Sequence, residues 1–314
     1  MGSETLKLPV IDFSNLKKQT EAWESAKTLI RQALEEYGSF EATFDHIPLH
    51  LQKSVLDGLK QLFDLPLETK LRNVSDRPYH GYVGHYPGYP LYESLGIEDV
   101  LSPGKIDIFT NLMWPQGNLS FSKSVQSYTE QLSELDKIVR EMVLESLGLE
   151  KYVDEHMKST NYVVRVQKYD KPQTHEPQPG LIPHTDKNIV TILQQLNHVP
   201  GLEFFTKDGK NWINAEPTSL YSFTVVVGTS FHAWTNGRLH SPLHRVMMNG
   251  DEARYSIGLF SIPKPGIIIK APEEMVDEEH PLLYKAYDHH KFIEFFYSEA
   301  GVTSPDALKD YCGI

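Results

Sequence analysis

Pro183-His184-Thr185-Asp186, read with Ser241-Pro242-Leu243-His244-Arg245-Val246 and Arg254-Tyr255-Ser256, is the stretch on which the reading of this chain turns. A His and a carboxylate two residues apart, joined by a second His from a later strand, make the two-His-one-carboxylate set that holds one face of Fe(II) and leaves the other coordination positions open. On an extended strand the side chains at i and i+2 share a face, so His184 and Asp186 are expected to reach one metal while Thr185 faces away. The same alternation sets Arg254 beside Ser256. A guanidinium fork next to a hydroxyl suits a carboxylate, because Arg offers two parallel charge-assisted hydrogen bonds and keeps its charge when buried.

Each piece is weak alone. With 14 His in the chain, about one His-x-Asp pair arises by chance. Taken singly, His244 reads equally well as a hydrogen-bonded core residue, and Arg254 as a strand residue with a surface ion pair. Their order, and their setting in strand-like runs, is what makes them a set.

Beyond the site, the chain resembles the plant-type Fe(II)- and 2-oxoglutarate-dependent dioxygenases along nearly its full length. The resemblance lies in Leu8-Pro9-Val10-Ile11-Asp12-Phe13, Tyr37-Gly38-Ser39-Phe40, Phe63-Asp64-Leu65-Pro66-Leu67-Glu68-Thr69-Lys70 and Asn236-Gly237-Arg238. Within that family, Pro90-Leu91-Tyr92-Glu93-Ser94-Leu95-Gly96-Ile97 and Trp114-Pro115-Gln116-Gly117-Asn118 are similar to the clade of glucosinolate side-chain dioxygenases, steroidal glycoalkaloid hydroxylases and auxin-oxidising dioxygenases. The resemblance implies that His184, Asp186 and His244 hold iron, and that Arg254, Ser256 and Tyr169 hold 2-oxoglutarate. It implies O2 as co-reactant, ascorbate as a stimulant, and succinate and CO2 as co-products. Two positions depart from the family pattern: Gln167 stands where Asn is usual, and Gly228-Thr229 where Gly-Asp is usual. Halogenating relatives lack the carboxylate ligand, so Asp186 implies hydroxylation, dealkylation or desaturation instead.

Composition bounds the rest. The 314 residues, 40% of them hydrophobic, suffice for one large core, and no linker separates independent domains. A net charge of −12 argues against nucleic acid or an anionic membrane as partner. A single cysteine, Cys312, fits a reducing compartment. Met1-Gly2-Ser3-Glu4-Thr5-Leu6 lacks the apolar core of a signal peptide and the Ser or Thr of a myristoylation motif, and no apolar run approaches a membrane span. A cytoplasmic monomer acting on a small molecule is the expectation.

Apolar spacing predicts helices over residues 21–37, between Pro48 and Pro66, over 123–147 and in the tail 288–314, where Ser304 reads as an N-cap with Pro305 at the first helical position. The stretch 78–90, rich in Gly, Tyr and His, reads as loop. Short β-rich runs follow at 162–169, 189–194, 202–205, 220–227, 231–234, 245–248, 255–262 and 267–269, with Asn249-Gly250 as a hairpin signal. That pattern indicates a sandwich or jelly roll. The fold class is therefore α+β: a helical N-terminal region with opening strands (1–155), a jelly-roll core (156–270), which the resemblance implies is a double-stranded β-helix, and a C-terminal helical tail (271–314), in one compact unit.

An aromatic substrate pocket is expected from Tyr79, His80, Tyr82, Tyr86, Tyr89, Tyr92, Phe109, Phe231, His232, Trp234, Phe260 and Ile262, a set suited to a fairly apolar small molecule. Asp288-His289-His290 is a rival metal cluster, weakened because adjacent residues on a helix diverge. Asn73-Val74-Ser75 and Asn118-Leu119-Ser120 match a glycosylation pattern short enough to arise by chance. A zinc hydrolase or cupin-type isomerase would also use two His and an Asp, yet would leave Arg254 and Ser256 unexplained.

Overall fold

Two sheets of unequal size carry the structure, a computed structural model that describes residues 6–174 and 176–314. Residues 1–5, read above for targeting signals, lie outside the described residues. The first half of the chain runs β1 (Val10–Asp12), α1 (Glu21–Glu36), β2 (Ser39–Thr43), α2 (Leu49–Phe63), α3 (Leu67–Lys70), β3 (Val83–Tyr86), β4 (Tyr89–Glu98), α4 (Lys105–Met113), α5 (Leu119–Ser146) and α6 (Val153–Lys158). There follow β5 (Thr160–Tyr169), β6 (Gln178–His184), β7 (Val190–Gln195), β8 (Leu202–Phe205), β9 (Trp212–Asn214), β10 (Ser222–Val227), α7 (Thr229–Trp234), β11 (His244–Met248) and β12 (Arg254–Pro263). The tail adds β13 (Ile268–Ile269), β14 (Tyr287–Asp288), α8 (His289–Phe296), α9 (Glu299–Thr303) and α10 (Ala307–Cys312).

The larger sheet has the order β1-β2-β10-β7-β12-β5-β4-β3, and the smaller β6-β11-β8-β9. Strand alternation divides the larger sheet's two faces. On β5, Val164 and Val166 turn towards the helices, in one core with Ile257 and Leu259 of β12 and with Leu132, Leu135 and Val139 of α5. Tyr169, on the other face, joins a second core with Tyr92 of β4 and Phe204, Val246 and Met248 of the smaller sheet. A period of two thus makes one strand serve two cores.

Several elements differ from the sequence expectation. Helix α5 starts about a turn early, because the Asn118 side chain accepts the Phe121 N–H at 3.1 Å and caps it before the apolar stripe begins. Residues 78–90 are not all loop: β3 and the start of β4 form a hairpin there. Phe231 to Trp234, aromatic enough to read as strand, lie in α7, where the His232 and Thr235 N–H groups bond to Gly228 and Phe231 carbonyls. Asn249-Gly250 makes no hairpin. It joins β11 to β12, which belong to different sheets, so the turn carries the chain across the sandwich. The tail is three short helices, capped by Asp288, Ser298 and Asp306, and the last starts two residues beyond the expected cap: Asp306 accepts the Lys309 N–H at 3.1 Å, and Ser304 merely accepts the Asp306 N–H. The boundary expected at 155/156 falls inside α6, and the first segment supplies four strands of the larger sheet.

Candidate active site

His184 and His244 pair across β6 and β11, directly opposite in the smaller sheet, and their rings lie 4.3 Å apart between centroids. The His184 Nδ1 lies 2.8 Å from the Ile182 carbonyl and the His244 Nδ1 3.1 Å from that of Pro242. Each carbonyl holds the proton on Nδ1, so both Nε2 lone pairs are left to point inward. Burial first, then the neighbouring His244, pushes His184 down to about 4, against the pull of Asp186. The 32% of its side chain that is exposed opens on a cavity, and the ring is neutral there at pH 7.

Asp186 arrives differently from the sequence expectation. Strand β6 ends at His184, so strand alternation does not bring the carboxylate round. The loop that follows is clasped instead by the start of α7. The Thr229 N–H donates to the Asp186 carbonyl at 2.7 Å, and the Ser230 hydroxyl donates to the Lys187 carbonyl at 2.7 Å. Thr185 does not turn away; it lines the cavity. Asp186 Oδ1 ends 3.9 Å from His184 Nε2 and 3.8 Å from His244 Nε2. Ligand atoms of the three residues lie within 4.8 Å of one another, the one such cluster among the described residues. Those separations are too long for hydrogen bonds and short enough to share one ion. The rival Asp288-His289-His290 does not converge: the two rings stand at 89°, and His289 Nδ1 is spent on Ser230 Oγ at 2.9 Å.

Arg254 and Ser256 keep the expected alternation on β12. Arg254 Nη1 donates to Ser256 Oγ at 3.1 Å, and Ser256 donates on to Gln167 Oε1 at 2.9 Å. Arg254 is 3% exposed. Its Nε has no partner among the described residues, and the guanidinium lies 5.3 Å from the Tyr169 ring centre. Burial lowers its pKa, and burial raises that of Tyr169, which senses both Arg254 and Asp186. A buried cation with a free donor and no carboxylate partner is costly until an anion reaches it. The donor set thus fits a ferrous ion bound at the cluster and an acid at Arg254.

The departures from the family pattern also find explanations. Gln167 accepts from Ser256 and donates to the Tyr92 hydroxyl at 3.4 Å, so it links the two strands that flank β5. At Thr229 the backbone N–H makes the contact to Asp186; the side chain reaches only the Thr185 and Ser241 hydroxyls, each at 3.4 Å.

A cavity of about 950 Å³ adjoins the cluster. Of the expected lining residues, Tyr79, His80, Tyr89, Tyr92, His232, Phe260 and Ile262 line it. Tyr82, Tyr86, Phe109, Phe231 and Trp234 do not. Phe109 is core, with its ring 6.0 Å from that of Phe121 in α5. Phe231 is fully buried against His156, and Trp234 packs on Tyr152 and His156. The Tyr82 hydroxyl donates to Glu93 at 2.9 Å, and Tyr86 is exposed beside Tyr89. Aromatic content alone could not separate core from lining. Sequence reasoning missed the tail, whose Ile293, Phe296, Tyr297 and Val302 form one wall. It also missed Arg165, although β5 alternation from Tyr169 through Gln167 would have found it.

Comparison with known proteins agrees with this geometry. Residues 155–263 match the 2OG-Fe(II) oxygenase superfamily, and residues 8–89 match the family described as non-haem dioxygenase in morphine synthesis N-terminal. An Arabidopsis thaliana protein described as "Probable 2-oxoglutarate-dependent dioxygenase AOP1.2" is 49% identical over 320 residues, covering 99% of this chain and 98% of the relative. The crystal structure of a dioxygenase for auxin oxidation in rice superposes with a TM-score of 0.81 at 29% identity, over 98% of this chain and 100% of that one. The Arabidopsis thaliana dioxygenase for auxin oxidation 1, in its complex with 2-oxoglutarate, gives 0.80 at 27% identity, over 87% and 99%. Two imidazoles facing one carboxylate, with a buried Arg alongside that has no carboxylate partner among the described residues, is what such a reaction requires of its scaffold, and this chain belongs to the Fe(II)- and 2-oxoglutarate-dependent oxygenases.

Proposed function

We propose that this dioxygenase hydroxylates a small specialised metabolite or hormone, with His184, Asp186 and His244 as the iron ligands and Arg254, Ser256 and Tyr169 as the seat of 2-oxoglutarate. The observation that carries the assignment is Arg254: buried, without a carboxylate partner among the described residues, and with a free Nε. A zinc hydrolase or isomerase would have no use for it.

Bound iron supplies the redox chemistry, coupling decarboxylation of 2-oxoglutarate by O2 to oxidation of the substrate and releasing succinate and CO2. The protein's share is placement. Arg254 and Ser256 take the distal carboxylate of the cosubstrate, and the Tyr169 ring closes beside it. The Ile182 and Pro242 carbonyls orient the two imidazoles so that each Nε2 faces the cluster. Tyr79, Tyr92, Phe260 and Ile262 offer apolar and aromatic surface to the substrate and keep water from the reacting carbon. The relatives named for auxin oxidation support a hormone-sized substrate. The net charge of −12 supports the absence of a nucleic-acid or anionic-membrane partner, and none of the described helices is long and apolar enough to cross a membrane. On this reading the enzyme acts as a cytoplasmic monomer.

The test is an anaerobic titration of apo-protein with Fe(II) and then 2-oxoglutarate, following the weak visible charge-transfer band of the chelate. The band is expected only when both are present, and is expected to vanish in Asp186→Ala with the fold retained. Metal binding without a band would overturn the cosubstrate assignment.

A further inference from the structure

A second guanidinium lines the same cavity and lacks an acid. Arg165 on β5 is 5% exposed. Its Nη2 donates to the Ser94 hydroxyl, its Nη1 reaches the Gly81 carbonyl at 3.5 Å, and its Nε is without a partner among the described residues. The carboxylates on the neighbouring strand β4 are committed elsewhere: Glu93 pairs with Lys70 at 2.6 Å, and Glu98 accepts the Ser75 hydroxyl and lies 3.8 Å from Arg77. A buried charge kept this way, on the wall of a cavity, has an anion to meet.

Its setting indicates what kind of anion. In the sheet register Arg165 lies opposite Gly96 of β4 and Gly258 of β12. A Cβ at Gly96 would fall 2.1 Å from the His80 carbonyl, and one at Gly258 would fall 2.9 Å from the Phe260 ring. The two glycines let the Tyr79-His80 segment and the Phe260 ring close on either side. The guanidinium itself lies 5.8 Å from the Tyr79 ring centre, which stacks on Tyr297 at 5.8 Å. Arg165 is also separate from the cosubstrate seat. Arg254 pairs with Tyr169, four residues along β5 from Arg165, or about 13 Å of strand.

We propose that Arg165 is a specificity-determining residue that takes the carboxylate of an aromatic acid substrate, the ring of which lies among Tyr79, Phe260, Ile262 and Tyr297. The proposal rests on the reading of this cavity as the Fe(II) and 2-oxoglutarate site. A planar carboxylate can accept in parallel from the guanidinium edge that includes Nε. An uncharged analogue of the same shape leaves that edge unpaired and is rejected.

The test uses 2-naphthylacetate and its primary amide as matched probes with the Fe(II)- and 2-oxoglutarate-loaded enzyme. The acid is expected to perturb the charge-transfer band and stimulate succinate release at a concentration at least tenfold below that of the amide. Arg165→Gln is expected to keep the band and lose that preference, and Arg165→Lys to keep the band and part of the preference. Arg165→Lys also carries the test should the Gln variant fail to fold. Equal responses to acid and amide, no response to either, or a preference that survives in Arg165→Gln would overturn the proposal. Loss of the band in both variants would assign Arg165 to the cosubstrate and overturn it as well. A wild-type enzyme that forms no band would fail earlier, overturning the cosubstrate reading and this proposal with it.

Discussion

Thr191 donates its hydroxyl hydrogen to Asp186 Oδ2 across 2.5 Å, while the other carboxylate oxygen, Oδ1, faces both imidazoles. The two oxygens therefore have separate tasks. Asn188 Nδ2 donates to the Thr191 oxygen at 3.1 Å and so fixes the direction of its hydrogen. Thr191→Val keeps the shape and removes the anchor. It is expected to weaken Fe(II) binding by roughly 10- to 100-fold, read by metal titration; unaltered affinity would leave Thr191 with no part in the metal site.

Arg254→Leu removes the guanidinium beside Ser256 and Tyr169, which has no carboxylate partner among the described residues. A loss of about 2–5 kcal/mol in 2-oxoglutarate binding is expected, seen as a rise of about 30-fold to several thousand-fold in the concentration that saturates the band. Arg254→Lys is expected to fall between, since a point charge replaces a fork. A variant that saturates like wild type would remove Arg254 from that role.

Phe109 tests the distinction between core and lining. It is a residue of α4, 4% exposed, with its ring against Phe121 of α5. Phe109→Ala is expected to cost about 3–5 kcal/mol of stability and to leave the order of preference among substrates unchanged. Denaturant titration gives the first and a comparison of substrates the second. A changed preference at full stability would return Phe109 to the cavity.

Acid should unfold the apo-protein through its buried histidines. Burial pushes His240 down to about 4 and His289 to about 3, from about 6.5 in an unfolded chain. As the pH falls through 6.5 the unfolded state takes up these protons first. Their stabilisation is thus complete above about 6.5 and is lost towards pH 4, by up to about 2 kcal/mol each at pH 5. The urea midpoint is expected to drop between pH 7.5 and 5, and less steeply in His289→Gln. Identical slopes would count against a neutral, buried His289.

The sequence made legible whatever depends on strand alternation or on residue type at fixed spacing. Strands β5, β7, β8, β11 and β12 lie within two residues of their expected limits at each end, and Arg254 and Ser256 share a face as alternation requires. What depends on distant parts of the chain was not legible. Asp186 is aimed by main-chain donors of α7, whose residue types carry no signal for it. Phe109 and Phe260 read alike in sequence; only the packing of α5 makes one core and the sheet register makes the other lining. Asn249-Gly250 specifies a turn but not whether the strands it joins pair with one another.

The cavity walls have separate origins. The metal cluster draws only on residues 184, 186 and 244, whereas other parts of the lining come from residues 76–80 ahead of the β3–β4 hairpin and from the helices that begin at His289, which meet where Tyr79 stacks on Tyr297. Both stretches lie outside the two strands and the loop that position the cluster. Changes at Tyr79, Tyr297 or Val302 therefore reshape the cavity without touching a metal ligand, whereas His289 holds Ser230 and, through it, the Asp186 loop. Part of what the cavity admits is thus written in stretches of the chain that carry no metal ligand.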